Sequence, residues 1–138
     1  MIIAVDFDGI LCDNAFPDIG VPHYETISQI RHLIDLGAEV VLWTSRTSME
    51  LVAAVQWCND RGLHFAAVNE NAPSNLEKYR AKYPNGTRKV YADYYVDDHN
   101  IEFATEASLT SEARLENMLN RLIERLKKER DLECQEEN

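Results

Sequence analysis

Ile2-Ile3-Ala4-Val5-Asp6-Phe7-Asp8-Gly9 is the stretch that decides the fold. Its four leading apolar residues have no polar face to turn to water, as in a strand of a parallel sheet covered on both sides. The run stops at two acids one residue apart, followed by a glycine that lets the backbone turn sharply. At a strand's period of two, the carboxylates of Asp6 and Asp8 can leave on the same side.

Outward from this stretch the strand signal recurs. Glu39-Val40-Val41-Leu42-Trp43-Thr44 and His64-Phe65-Ala66-Ala67-Val68 read as second and third strands, and Tyr94-Tyr95-Val96 as a fourth ending in Asp97-Asp98. Residues 10–22, with Asn14, Pro17, Gly20 and Pro22, form a loop or small flap. Ile27, Ile30, Leu33, Ile34 and Leu36 then recur at helical spacing up to Gly37. Thr47 or Ser48 caps a second helix carrying Leu51, Val52, Val55, Trp57 and Cys58, which Gly62 closes. Asn69 to Arg88 is polar and has room for one short helix around residues 74–83. Strands alternating with helices predict an α/β fold, a three-layer open parallel sheet with right-handed crossovers.

From Thr110 the composition shifts. Leu115, Leu119, Leu122 and Leu126, widened by Met118 and Ile123, form an apolar stripe on an otherwise charged helix. The expected organisation is a core over residues 1–109 and an amphipathic C-terminal helix with an acidic tail over 110–138. The stripe either packs on its own domain or pairs with a second copy through residues 110–133, giving a homodimer.

The length of 138 residues suits one domain, and at this size a chain buries roughly 70% of its unfolded surface without staples. Cys12, Cys58 and Cys134 are far apart and odd in number, which supports neither a disulfide framework nor a zinc site. The 14 basic and 24 acidic residues leave a formal charge of −10. Such a surface repels long nucleic acid and anionic membranes on average, though it leaves room for a local basic pocket. No run of about 18 apolar residues and no leader pattern is present, so a soluble, cytoplasmic protein is expected.

In open α/β sheets, ligands bind beyond the carboxyl ends of the strands. Those ends carry Asp6 and Asp8, Thr44, Asn69 to Asn71, and Asp97 with Asp98. One acid at a strand end is most simply a helix cap. Four on one rim would repel one another, and a hard divalent cation such as Mg²⁺ is the natural partner for all-oxygen ligands. A carboxylate beside a second acid can also attack phosphorus while its neighbour moves a proton.

These residues resemble the haloacid dehalogenase-like (HAD) phosphohydrolase superfamily. Asp6-Phe7-Asp8-Gly9-Ile10 is similar to its first motif, with Ile10 where Thr or Val is usual. Val40 to Thr44 resembles the second motif, Lys89 (with Arg88 in reserve) the third, and Val96-Asp97-Asp98 the fourth. The order is kept over roughly residues 1–105. The phrases Trp43-Thr44-Ser45-Arg46, Trp57 to Leu63, Val68 to Asn71 and Asp97 to Asn100 resemble small HAD-like proteins of bacteria and phages.

The resemblance implies a Mg²⁺-dependent phosphomonoester hydrolase working through an aspartyl-phosphate. Asp6 would be nucleophile and metal ligand, and Asp8 the acid and base as well as a metal ligand through its carbonyl. Asp97 and Asp98 would complete the cation site. Thr44 would bind phosphoryl oxygens, and Lys89 would neutralise charge. Apart from the resemblance, Ser45 and Arg46 beside Thr44 are substrate-binding candidates, Arg46 being either a bidentate phosphate ligand or a solvent residue at a helix start.

Cap domains of this superfamily are inserted after the first or second motif. The 35 residues between Asp8 and Thr44 and the 44 between Thr44 and Lys89 are used up by core elements. An uncapped site implies a phosphorylated substrate that is macromolecular, or a small molecule under a partner's lid. Two other readings stand beside this one. The first is a HAD-like binding or regulatory module assembling through its C-terminal helix. The second is a response-regulator receiver, which expects the acidic pair first and a lone acid mid-sheet, the reverse of the order here.

Overall fold

A computed structural model of the chain describes residues 1–100 and 111–136. Four parallel strands, β1 (Ile2–Val5), β2 (Glu39–Leu42), β3 (Ala67–Val68) and β4 (Tyr94–Val96), form one sheet in the order β3-β2-β1-β4. Among the described residues four helices accompany them: α1 (Tyr24–Asp35), α2 (Ser48–Asn59), α3 (Pro73–Tyr79) and α4 (Ser111–Glu136). The chain is an α/β protein with a Rossmann-like sheet.

The register pairs Ile3 with Val40 and Tyr94, and Ala4 with Val41 and Tyr95, so each side of the sheet is lined by matching residues. Ile3, Val5, Val40, Leu42 and Val96 face one side and join Ile27, Ile30 and Leu33 of α1, Ala54 and Cys58 of α2, and Leu115, Leu119, Leu122, Ile123 and Leu126 of α4. Ile2, Ala4, Val41 and Ala67 face the other, against Ala72, Val90 and Ala92. The two outer layers are therefore unequal. Three helices cover the first face, whereas the second is covered mainly by irregular chain between Asn69 and Ala92, because α3 buries none of its own residues.

This arrangement follows from handedness. The steps from β1 to β2 to β3 move across the sheet in one direction, so right-handed crossovers put α1 and α2 on one face. The return from β3 to β4 runs the opposite way and must use the other face.

Sequence and structure agree closely on β1, α1 and β4. Gly37 (φ +95°) closes α1 in the left-handed region, its N–H donating to Ile34 O while Ala38 N–H donates to Leu33 O. Thr47 is the N-cap of α2 but makes no side-chain cap hydrogen bond. β2 ends at Leu42, two residues short of Thr44, because Thr44 N–H donates to the Asn69 side chain instead of to the sheet. β3 is only two residues long. Leu63 turns into the core and His64 Nδ1 pairs with Asn59 Oδ1 at 3.2 Å, so the chain reaches the sheet only at Ala66. The helix expected near 74–83 stops at Tyr79 and continues as turns.

α4 lies across α1, where Gln29 Nε2 donates to Glu116 O and Asn120 Oδ1, and Arg125 donates to the Tyr94 hydroxyl beside the sheet. Its leucine stripe is buried within its own chain. Residues 101–110, with the expected boundary at 109–110, lie outside the described residues, as does the end of the acidic tail. From residue 9 to residue 43 the chain forms only a loop, α1 and β2, and from residue 44 to residue 93 only α2, β3, α3 and loops. Among the described residues neither stretch contains an extra folded unit over the sheet. No helix among them is long and apolar enough to cross a membrane.

Candidate active site

Strand order reverses between β1 and β4, and a cleft opens at such a switch point beyond the carboxyl ends. Here the ladder is still intact at its edge, with Asp6 N–H donating to Val96 O. Asp6, Asp8, Asn14, Phe16, Thr44, Ser45, Arg46, Asp97 and His99 line a cleft of about 310 Å³. Asp6 and Asp97, 91 positions apart in sequence, thus meet because β1 and β4 are neighbours.

Arg46 is the most fully engaged of these side chains and is 2% exposed. Its Nε donates to Asp8 Oδ2 at 2.8 Å and its Nη2 to Asp8 Oδ1 at 2.7 Å, a bidentate pair. Nη1 donates to Pro17 O and Nη2 also to Asp18 O, which ties the 10–22 loop to the strand end. The guanidinium lies 4.9 Å from the Phe7 ring centre and 5.3 Å from that of Phe16. From sequence, Arg46 is a candidate phosphate ligand. In the structure it grips Asp8 and the loop.

Asp6 accepts from Phe7 N–H through Oδ1 at 2.7 Å, a bond that does not use Oδ2. Burial raises its pKa from 3.8 to about 6, opposed by the Phe7 N–H and reinforced by the charges of Asp97, Asp98 and Asp8. Asp97 is held by His99 N–H, which donates to its Oδ1 at 2.8 Å. Asp98 does not line the cleft. It lies beneath Gly9, where a β-carbon would come within 2.3 Å of its Oδ2. Its Oδ1 is buried and receives no hydrogen bond; His99 Nδ1 is 2.9 Å away but badly aligned for donation.

Asp6, Asp97 and Asp98 thus concentrate negative charge. Among the described residues, the only basic group within ion-pair distance of Asp97 or Asp98 is the exposed His99. Asp97, Asp98 and His99 each offer a ligand atom within 4.8 Å of one another, a grouping that does not take in Asp6. A hard cation beside Asp97 and Asp98 would give the buried Asp98 Oδ1 a partner and offset the charge of an ionised Asp6.

Thr44 reaches the cleft on a backbone fixed by Asn69. The Asn69 Oδ1 accepts from Thr44 N–H at 2.8 Å, and Asn69 itself sits at φ +53°, a conformation asparagine tolerates better than most residues. Thr44 Oγ1 in turn accepts from Arg46 N–H. Asn69, at the carboxyl end of β3, is thus a positioning residue for Thr44. Asn71, 4% exposed, instead holds the 87–91 loop through Thr87 O, Thr87 Oγ1 and Tyr91 N–H.

Lys89 is not brought to this cleft. It lies 5.4 Å over the Tyr95 ring and lines a different cavity. Asp93 N–H donates to Ile2 O and Asp93 Oδ2 accepts from Ile2 N–H, which starts β4 at the amino end of β1. Lys89 precedes that point by four residues, on the sheet's second face and away from the carboxyl rim. Arg88 is exposed and does not line the cleft either. The cation at the cleft is Arg46. Cys12 is buried near Phe7, its thiol pKa raised chiefly by burial, and acts as a small packed residue.

No protein-family model matches the chain, and no curated protein matches it. One solved structure is similar, described as the structure of a conserved protein from Bacteroides thetaiotaomicron. It shares 28% identity and a TM-score of 0.68 over 88% of this chain and 90% of that one. That likeness covers nearly the full length of both chains, so the fold is one this chain shares with a conserved bacterial protein.

Proposed function

We propose that the protein is a Mg²⁺-dependent phosphomonoester hydrolase with a HAD-like core and no cap. The observation that carries this reading is the meeting of Asp6 and Asp8 beyond β1 with Asp97 beyond β4 and Thr44 beyond β2 in one cleft at the switch point. Asp6 and Asp97, the Asp8 carbonyl and the neighbouring Asp98 are the groups that would hold the cation. When bound, that cation supplies charge neutralisation for Asp6 and the phosphoryl oxygens.

The chain's own groups divide the remaining work. Asp6 Oδ2, the oxygen not held by Phe7 N–H, attacks phosphorus as the ester P–O bond breaks. Thr44 and the backbone around Ser45 donate to the phosphoryl oxygens. The leaving oxygen takes a proton from Asp8, and Asp8 then draws a proton from the water that hydrolyses the aspartyl-phosphate, returning Asp6 and releasing phosphate. Asp8 can do this only once one of its two hydrogen bonds to Arg46 opens and the freed oxygen takes a proton from solvent. Arg46 neutralises Asp8 and holds the rim loop.

The open cleft favours a phosphate carried on a macromolecule, or on a small molecule covered by a partner. The alternative of a binding module assembling through the C-terminal helix is less favoured, since the helix's apolar stripe is already covered by α1 and the sheet. Phosphate release from a panel of phosphomonoesters, in Mg²⁺ and in chelator, tests the proposal. Release that requires Mg²⁺ supports it; no release across the panel counts against it.

A further inference from the structure

The segment from Lys78 to Ala92 contains Lys78, Arg80, Lys82, Arg88 and Lys89 and no acid. The other 123 residues hold nine basic residues against all 24 acids. The acidity that argues against nucleic acid is therefore an average over two unlike regions. All five cations are exposed. Three are stationed over tyrosine rings at 5.4 Å, Lys78 on Tyr79, Lys82 on Tyr83 and Lys89 on Tyr95.

The same segment borders a cavity of about 480 Å³ between α3 and the sheet's second face, lined by Tyr79, Tyr83, Thr87, Lys89, Tyr91 and Tyr95 among others. Its volume is that of a small-ligand pocket, for which roughly 300–1,000 Å³ is usual. Tyr79, Tyr83 and Tyr91 remain 41%, 42% and 47% exposed, a large commitment of aromatic surface to solvent. Two of the rings are held in place: the Tyr91 hydroxyl donates to Asp93 Oδ1, and the Tyr95 hydroxyl donates to Val90 O and accepts from Ala92 N–H.

Aromatic faces with cations beside them bind a chain that alternates flat bases with phosphates. We infer that this surface binds single-stranded nucleic acid, one base entering the tyrosine-lined cavity while neighbouring phosphates lie along Lys82, Arg88 and Lys89. Charge complementarity selects the strand over a protein partner. Five cations spread over the segment exceed what a single nucleotide uses, and the stackable rings exceed what a plain polyanion uses. Arg80 contributes least, since it already pairs with Glu77 at 3.0 Å. None of these residues lines the Asp6 cleft, so the inference stands apart from the hydrolase reading and fails separately from it.

The test is fluorescence anisotropy of a labelled thymidylate dodecamer with the full chain at about 50 mM salt, repeated at higher salt. Binding is expected to weaken with a log–log salt slope of about −2 to −3.5, since each neutralised phosphate of a single strand contributes about −0.7. Lys82→Glu/Arg88→Glu/Lys89→Glu should abolish binding. Tyr83→Ala/Tyr91→Ala should weaken it about tenfold or more, within the range of loss per stacked base. An abasic dodecamer should bind about tenfold more weakly than the thymidylate strand. All these positions are exposed, and an unchanged thermal melt confirms folding. The inference is overturned by no binding at low salt, by equal binding of the abasic strand, by variants that bind like wild type, or by full competition from thymidine monophosphate at equal concentration.

Discussion

Arg46 closes its Nε and Nη2 on the two oxygens of Asp8, at 2.8 and 2.7 Å, while the same guanidinium holds the carbonyls of Pro17 and Asp18. One side chain thus fixes the second acid of the Asp6-Phe7-Asp8 motif and the loop that forms the rim of the cleft. Removing it would leave a largely buried carboxylate unpaired. Arg46→Ala should cost about 3 kcal/mol of stability in chemical denaturation, the usual scale for breaking such a pair. Arg46→Lys, which keeps the charge but not the fork, should restore less than half of the loss.

Gly9 and Gly37 offer a matched comparison, since both sit at positive φ, +79° and +95°. An alanine at either position carries the left-handed backbone penalty of about 1–2 kcal/mol. At Gly37 there is nothing within 4 Å for a β-carbon to meet, whereas at Gly9 it would strike Asp98 Oδ2. Gly9→Ala should therefore also weaken Mg²⁺ binding, measured by calorimetry, and Gly37→Ala should not.

Asp6 has its pKa raised to about 6 by burial and by its acidic neighbours, against 3.8 for the free group. Between those values the folded state keeps a proton that the unfolded state has released. The metal-free protein should therefore lose stability as pH rises from about 4 to about 6, by on the order of 2 kcal/mol. Asp6→Asn should flatten that slope. Mg²⁺ should raise the melting temperature more at neutral pH than at pH values near 4, where Asp6 is protonated.

Much of this architecture is written in short runs of residues. The all-apolar Ile2 to Val5 run identifies a central strand, Gly37 marks the end of α1, and the acids at two strand ends locate the cleft. Pairing was harder to read at the sheet edge, where only two residues of β3 engage β2 and local contacts of Leu63 and His64 decide the rest. Lys89, the residue that resembles the third-motif cation, lies away from the cleft for a related reason. Lys89 has the right residue type and order, but its distance from the cleft depends on how residues 87–93 wrap around Asn71 and the amino end of β1. Arg46, two residues beyond Thr44, occupies the cleft because the chain leaves β2 toward Asp8.

Asn69 carries Thr44 N–H on its side chain from a left-handed backbone position. Asn69→Gly relieves the backbone but removes the acceptor, so phosphate release should fall about tenfold with little change in melting temperature. Asn69→Asp, which keeps the acceptor, should recover most of the rate.

The central claim is that Asp6 takes the phosphoryl group. Phosphate release from an aryl phosphate with Mg²⁺, compared among wild type, Asp6→Asn and Lys89→Met, tests it most directly. Loss of the nucleophile should lower the rate by about a thousandfold or more, while Lys89→Met, outside the cleft, should stay within about twofold of wild type. Equal rates for wild type and Asp6→Asn would contradict the claim.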